Sequence, residues 1–513
     1  MMHPSYFATV QPDKVAYRMA GSGESLTYAD LDRLSNQGAQ TLRALGVGQG
    51  EVIGLLFENR LDYLALCWAA QRSGIFFTAI SNHLSVDEIL YILRDCGAKI
   101  MVLSDTYACL LPALEAGAPE VKFFISGGTP DAAHDWQALQ AAAPATPVAD
   151  EAAGTDMLYS SGTTGRPKGI LRTFRRQPID TVIPLVMTVL CETMGGMDAD
   201  SVFLSPAPLY HAAPLRVSMM AVKLGGTAIL MEKFDPEGVL ALIDRYKVTH
   251  AQFVPTMFIR LLRLPEEVKA RYDHSSLKIA FHAAAPCPAD VKAAMIAWWG
   301  PILIEFYAGS EANGVTITTS EEWRSHPGTV GRSLLGRIVV IDGDGQELPA
   351  GQVGAIYFDS GIDFEYRNDP DKTKGAFLRP GCATIGDIGY VDADGYLYLT
   401  DRASYTIISG GVNIYPQETE DLLLSHPDVA DAAVFGVPNA EMGEEVKAVV
   451  QLEPHAEPSD ELARALIEWC RARLSHLKVP RSIDFREALP RTPTGKLMKR
   501  KIKDEYWPAK VSA

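Results

Sequence analysis

The sequence predicts an α/β protein: a large N-terminal region of βαβ-type sheets, then a small α+β C-terminal region. Three observations carry this. Short apolar runs alternate with helix-period stretches from about residue 50 to residue 306, and such alternation builds helices onto largely parallel sheets. The texture changes after about residue 400, where a compact stretch of about 110 residues follows. The chain has 513 residues, 47% apolar and 21% charged. That leaves room for two to four domains at roughly 150 residues each and excludes disorder as the dominant state.

The elements follow in order. Val52–Phe57 is an apolar run and Asp62–Ala70 has helical spacing; Ile100–Leu103 and Phe123–Ile125 are further short runs. Leu139–Glu151 is Ala/Pro-rich and reads as a linking loop, and Met157–Tyr159 reads as a short strand. Thr227–Met231 is a strand. Asp235 with Pro236 then opens a helix over Val239–Tyr246, because an N-cap acceptor followed by proline suits a first turn. Val248–Val254, Leu277–Phe281 and Ile302–Phe306 are strands, with a helix over Ala289–Trp299. Strand, turn and strand end at Asp401, and a domain boundary falls at Asp401–Ser404. Beyond it, a helix near Ser459–Leu474 puts Leu462, Leu466, Ile467 and Cys470 on one face. Parallel sheets bind ligands at the carboxyl ends of their strands. Chemistry is therefore expected in the loops Ser160–Lys168, His282–Cys287 and Tyr307–Glu311.

Charge narrows the function classes. With 47 basic and 63 acidic residues the net is −16, which lacks the basic footprint of a nucleic-acid binder. A phosphate ligand would need locally placed cations. The 7 cysteines never occur as C-x-x-C, so neither a disulfide framework nor a zinc site is expected, and a reducing, cytoplasmic setting is the default. No secretory h-region opens the chain, and no apolar run approaches about 18 residues.

The most informative segment is Ser160-Ser161-Gly162-Thr163-Thr164-Gly165-Arg166-Pro167-Lys168-Gly169. Gly162, Gly165 and Gly169 let the backbone turn tightly and aim N–H groups inward. Four hydroxyls and Lys168 add donors, so a triphosphate is the natural guest. The segment is not a Walker A loop, because Gly-Lys-Ser/Thr is absent.

With Tyr159 before it, this string resembles the phosphate loop of the adenylate-forming superfamily of acyl- and aryl-CoA ligases, peptide-synthetase adenylation domains and luciferases. Further motifs occur in family order: Glu305-Phe306-Tyr307-Ala308-Gly309-Ser310-Glu311, Gly386-Asp387 with Gly389-Tyr390 and Asp401-Arg402, Ser409-Gly410-Gly411-Val412-Asn413-Ile414-Tyr415-Pro416, and Pro490-Arg491-Thr492-Pro493-Thr494-Gly495-Lys496. The resemblance implies an adenylation domain over residues 1–401 that includes a small barrel-like part, a hinge at 402–404, and a mobile C-terminal domain over 405–513.

It also implies site residues. Lys496 would bridge the substrate carboxylate and the α-phosphate of ATP, where two anions must meet. Glu311, with Thr163, would contact Mg²⁺, since a hard cation takes oxygen ligands. Asp387 would accept from the ribose hydroxyls, and Arg402 would reach ribose or phosphate. Ser160 through Gly165 and Lys168 would hold the phosphates. Tyr307 would lie against adenine, with Ala284 and Ala285 along the other side and Glu305, Phe306, Ala308 and Ser310 completing the nucleotide strip. His211 falls beside the acyl carboxylate, either gating the pocket or serving as a structural histidine. The acyl pocket is expected at His211, Ala212, His282, Ala283, Gly309 and Gly314, small or apolar positions that suit a hydrophobic acid. No acid lies among Tyr210, His211, Ala212 and Ala213 to hold a substrate amine, which argues against an amino acid. Ser409, Gly410 and Gly411 would lie along CoA.

Several positions depart from the family pattern: Ser404 at the hinge, Ala308, Ser310, and Ile385, which removes a hydroxyl before Gly386-Asp387. The expected reaction is AMP-forming ligation of a fatty, aryl or alicyclic acid to CoA. The expected partners are that acid, ATP, Mg²⁺ and CoA, with no nucleic acid, no transmembrane segment, and homodimer formation left open. Two alternatives remain at this stage: an adenylating enzyme whose acceptor is a carrier protein or oxygen, and a non-catalytic nucleotide-binding protein. CoA-dependent thioester formation separates the first; loss of Lys496 or Glu311 would mark the second, and both are present.

Overall fold

A computed structural model describes residues 3–129, 132–160, 168–171, 173–402, 405–409, 412–439, 442–491 and 497–507. The chain divides into two compact units, Met1–Ala283 with Ala293–Val315 and Asp363–Gly375, and Ala284–Lys292 with Thr316–Ile362 and Ala376–Ala513.

The strands of the first unit, in chain order, are β1 (Val15–Met19), β2 (Ser25–Thr27), β3 (Val52–Leu56), β4 (Phe76–Ile80), β5 (Ala98–Ser104), β6 (Lys122–Ser126), β7 (Tyr159–Ser160), β8 (Lys168–Leu171), β9 (Val202–Ser205), β10 (Thr227–Leu230), β11 (His250–Phe253), β12 (Ile279–His282) and β13 (Leu303–Ala308). One sheet runs β13-β12-β11-β9-β10-β1-β2, parallel throughout except at the β1–β2 hairpin. A second runs β4-β3-β5-β6 and is wholly parallel. Every residue of β3 and β4 is buried, the signature of strands covered on both faces. The helix Leu61–Arg72 is buried from Tyr63 onward, which explains its apolar composition all round.

Local signals set the helix starts. Thr27 with Asp30, and Ser85 with Glu88, form capping boxes, each satisfying backbone donors at a helix N-terminus. Asp235 caps Pro236–Tyr246 by accepting from Gly238 N. Two expectations shift. Leu139–Ala142 are not loop but the end of the helix Trp136–Ala142, capped by Asp135, because alanine and leucine are strong helix formers and no proline interrupts before Pro144. The expected strand at Met157 begins at Tyr159; Met157 N instead donates to Phe77 O at 2.9 Å.

The second unit contains a six-stranded sheet, antiparallel at every pairing, of Arg337–Ile341, Gly354–Asp359, Phe377–Arg379, Cys382–Ala383, Asp387–Val391 and Leu397–Arg402. Its five-stranded sheet pairs Val429–Asn439 with Gly443–Leu452 antiparallel, and Ser482–Arg486 with Gly443–Leu452 parallel. The helix Asp460–Arg471 buries Leu466 and Cys470, with Leu462 and Ile467 packed on the same core, the face read from the sequence. No described helix is long and apolar enough to cross a membrane, and all seven cysteines are free thiols.

Candidate active site

In the first unit the expected phosphate loop springs from a hairpin. β7 and β8 pair antiparallel, with Tyr159 opposite Gly169 and Ser160 opposite Lys168. Ser161, Gly162, Thr163, Thr164 and Gly165 lie outside the described residues. The stem is specified closely. A Cβ at Gly169 would stand 2.7 Å from Tyr159 Cζ and 2.8 Å from its oxygen, so only glycine leaves room for the ring. Tyr159 O–H donates to Asp95 Oδ2 at 2.5 Å, and burial pushes this phenol far above its ordinary range. Asp95 also accepts from Asn368 Nδ2 at 2.9 Å, and its carbonyl oxygen accepts from Arg367 Nε. Residues 365–366 add a third strand along β8, with Tyr366 opposite Ile170.

Lys168, at the start of β8, is buried. Burial lowers its pKa, against the pull of Asp369 and Glu311. Glu311 follows β13 and is 8% exposed; Tyr366 O–H donates to its Oε1 at 2.9 Å. Lys168 Nζ stands 5.9 Å, and Lys372 Nζ 4.4 Å, from the centroid of the Tyr366 ring. Lysines and a carboxylate thus surround one tyrosine beside the hairpin stem.

The carboxyl ends of β9, β12 and β13 carry the other expected residues. His282 is Glu305's register partner and has no exposed surface; its Nε2 lies 3.8 Å from Glu305 Oε2, and Phe258 meets the ring edge-on at 5.3 Å. Ala283 is buried beside it. Strand alternation puts Glu305 and Tyr307 on one face and Phe306 and Ala308 on the other; Tyr307 is half-buried and Ala308 exposed. Gly309 and Ser310 are half-buried, and Gly314 is buried. Ala312, in the same loop, has φ +52°, a left-handed conformation costly for a side chain and common at functional loops. His211 stands in extended conformation at the N-cap position of the helix Ala212–Lys223, without a side-chain capping bond, its ring 4.5 Å from that of Tyr210, and Ala212 is half-buried. Asn59 pins this segment: Leu209 N donates to its Oδ1 at 2.8 Å, while its Nδ2 donates to Ala207 O at 3.0 Å and Met231 O at 2.8 Å.

In the second unit Asp387 is buried and is the register partner of Arg402. The hydroxyl absent at Ile385 is present one residue earlier, where Thr384 Oγ1 accepts from Gly386 N at 2.9 Å. Ala284 is exposed with φ +77°, and Ala285 is half-buried. Ser409 is buried and lines a cavity of about 290 Å³ with Asn439, Met442, Glu445 and Arg481. Gly410, Gly411, Ser404 and Lys496 lie outside the described residues. Beyond the final motif, Lys499 Nζ lies 2.7 Å from Glu420 Oε1, which also accepts from Val434 N at 2.6 Å. Both charged residues are 5% exposed.

Sequence reasoning missed Asn59, Asp95, Tyr366, Lys372 and the Lys499–Glu420 pair. The run Tyr366-Arg367-Asn368-Asp369-Pro370 before a helix start carried a signal for one of them, since its turn residues sit beside a tyrosine and an arginine.

The family model for the AMP-binding enzyme matches residues 5–361, and that for the AMP-binding enzyme C-terminal domain matches residues 418–496. The chain is 31% identical over 511 residues to the long-chain-fatty-acid–CoA ligase FadD13 of Mycobacterium tuberculosis, covering 97% of each chain. It is 34% identical over 507 residues to a feruloyl-CoA synthase of an Amycolatopsis species, again covering 97% of each. The crystal structure of ATP-bound MatB from Rhodopseudomonas palustris superposes with a TM-score of 0.83 at 28% identity, covering 98% of this chain and 99% of that one.

Proposed function

The chain belongs to the AMP-binding enzyme family, and we propose that it activates a hydrophobic carboxylic acid, whether fatty, aryl or alicyclic, for transfer to CoA. It is an AMP-forming acid–CoA ligase, which makes a carbon–sulfur bond by way of an acyl-adenylate. The two sequence relatives named above, at 31% and 34% identity, are named for CoA, which favours CoA over a carrier protein as acceptor.

The observation that carries the site assignment is the cluster of Lys168, Tyr366 and Glu311 at the stem of the Gly/Ser/Thr loop. In the first half-reaction a carboxylate oxygen attacks the α-phosphorus of ATP and pyrophosphate leaves. In the second, the CoA thiol attacks the acyl carbon, AMP leaves, and the thiol proton is released. Both reactants of the first step are anions, so charge neutralisation dominates. Lys168 is desolvated and feels the charge of Asp369 and Glu311, so an incoming polyphosphate meets a cation that water shields poorly. Lys496 is the cation assigned to the attacking carboxylate and the α-phosphate. Asp387 and Arg402 are assigned to the ribose, and Tyr307, Ala284 and Ala285 to the base. Glu305, Phe306, Ala308 and Ser310 line the nucleotide strip, while His211, Ala212, His282, Ala283, Gly309 and Gly314 line the acid.

Glu311 fits a hard divalent cation: it offers oxygen from a nearly dry position, Tyr366 occupies Oε1, and among the described residues no donor is hydrogen-bonded to Oε2. With Thr163 it would hold Mg²⁺, which neutralises phosphate charge when bound. Residues 402–404 are assigned as the hinge that lets Lys496 serve the first step and withdraw for the second. Ser409, Gly410 and Gly411 are assigned to CoA, and the free cysteines support a cytoplasmic setting.

A pyrophosphate-release screen over a panel of carboxylic acids, with and without CoA, tests this. Release with hydrophobic acids, AMP as the nucleotide product, and thioester formed only when CoA is added are expected. ADP production, or preference for an amino acid, would refute it.

A further inference from the structure

Tyr366 belongs to none of the motifs that marked the site, yet it touches the carboxylate on which the metal assignment rests. Its O–H donates to Glu311 Oε1 at 2.9 Å, with Tyr366 7% and Glu311 8% exposed. Its backbone is fixed from several sides. Its strand pairs with β8, its N–H donates to Thr373 Oγ1 at 2.9 Å, and its carbonyl oxygen accepts from Asp369 N at 3.2 Å. Phe364 meets its ring edge-on at 5.3 Å. The ring cannot drift, so the hydroxyl marks a fixed point.

Glu311 has a second attraction. Lys168 is close enough for the two charges to act on each other, and Lys168 Nζ lies over the same tyrosine ring. A carboxylate near a desolvated ammonium can close onto it in a direct, charge-assisted ion pair. That closure would consume the oxygen needed for a metal and the cation needed for phosphate together.

We propose that Tyr366 is the positioning residue of Glu311: its hydroxyl holds Oε1 and keeps the carboxylate available to a divalent cation instead of paired with Lys168. This rests on the assignment of Glu311 as the metal contact. One hydrogen bond to a charged group is at stake, and losing it should weaken metal binding about tenfold.

The test uses the full-length protein with Mn²⁺ as an electron paramagnetic resonance probe and α,β-methylene-ATP, which is not cleaved at that bond. Mn²⁺ affinity is measured for wild type, Tyr366→Phe, Glu311→Gln and the double variant, with melting temperatures as fold controls. The expected pattern is a loss of about tenfold for Tyr366→Phe, a loss at least as large for Glu311→Gln, and no further loss in the double variant, because a residue acting through Glu311 has nothing left to act on. Should Tyr366→Phe fail to fold, Tyr366→Met supplies the non-donor arm. Unchanged affinity in the non-donor variant while Glu311→Gln is impaired overturns the positioning role and leaves the metal assignment standing. Additive losses also overturn it. Unchanged affinity in Glu311→Gln overturns the metal assignment itself, and the positioning role with it.

Discussion

Replacing Gly169 with alanine should disable adenylation without touching any group assigned to the nucleotide. The added Cβ would lie 2.7 Å from Tyr159 Cζ, 2.8 Å from its oxygen and 3.2 Å from Met157 Cε, inside the distance that real contacts tolerate. The obstacle is a rigid ring rather than the end of a flexible chain, so the ring must leave. It then gives up the 2.5 Å bond to Asp95 Oδ2, and a hydrogen bond to a charged group is worth about 1.5–3 kcal/mol. Crowding adds about 1–3 kcal/mol. The Asp95 carboxylate is not orphaned, since Asn368 Nδ2 still donates to its Oδ1, so the cost is about 2.5–6 kcal/mol by these ranges. Tyr159 and Ser160 lead directly into the loop, and an error of about 1 Å in a positioning element can cost about a hundredfold in rate. Pyrophosphate exchange should show kcat/KM for ATP down by about that factor, roughly 2.7 kcal/mol in the barrier. In a Tyr159→Ala background the same glycine substitution should add little, because the clashing ring is gone. A Gly169→Ala enzyme with unchanged kcat/KM for ATP, or one equally damaging without the ring, would refute the reasoning.

Two predictions concern buried charges. Lys223 is 5% exposed and donates to Thr181 O at 2.8 Å and Ile179 O at 3.2 Å, and burial lowers its pKa to about 8. Unfolded lysine keeps its proton to about 10.4, so between those values the unfolded state binds more protons and stability rises with pH, by about 3 kcal/mol in total. Lys223→Met should remove that rise: its melting temperature relative to wild type should be higher at pH 7 than at pH 10, and a pH-independent difference would count against a buried, titrating lysine. Lys499→Met leaves Glu420 charged and buried with the Val434 N–H still donating to it, a loss of about 3–5 kcal/mol. Adding Glu420→Gln should recover most of the lost melting temperature, since the amide oxygen still accepts from Val434; no recovery would mean the pair does not carry that stability.

What the sequence made legible and what it hid divide along a physical line. The alternation of apolar runs located most strands of the first unit to within a few residues, because a strand buried on both faces can contain little else. The Ala/Pro-rich stretch misled at 139–142, since the same alanines that suit a linker extend a helix once Asp135 caps it. Two of the expected site residues, Lys168 and Glu311, announce themselves by charged side chains at the ends of glycine-bearing motifs. The residues that hold them do not. Tyr159 meets Asp95 at a separation of 64 positions, Leu209 meets Asn59 at 150, and Tyr366 meets Glu311 at 55. Nothing local distinguishes Asn59 or Asp95 from an ordinary surface polar residue; only the fold supplies their partners.

That division also says where damage should appear. A chain with a net charge of −16 repels ATP at long range, so the cations at the site must act at short range from fixed positions. Fixing a lysine in a dry place lowers its affinity for its own proton, as burial does to Lys168, and neighbouring carboxylates offset that cost more strongly the closer they stand. Too close, they form ion pairs that exclude phosphate; too far, the lysine sheds its proton. A tyrosine between Lys168 and Glu311 meets both conditions, because its ring is attractive to the ammonium and its hydroxyl to the carboxylate. It follows that substitutions at Asp95, Tyr159, Gly169 and Tyr366 should fall hardest on the half-reaction that binds a triphosphate. Transfer to CoA from a supplied acyl-adenylate, whose nucleotide brings only one phosphate to this loop, should be affected least.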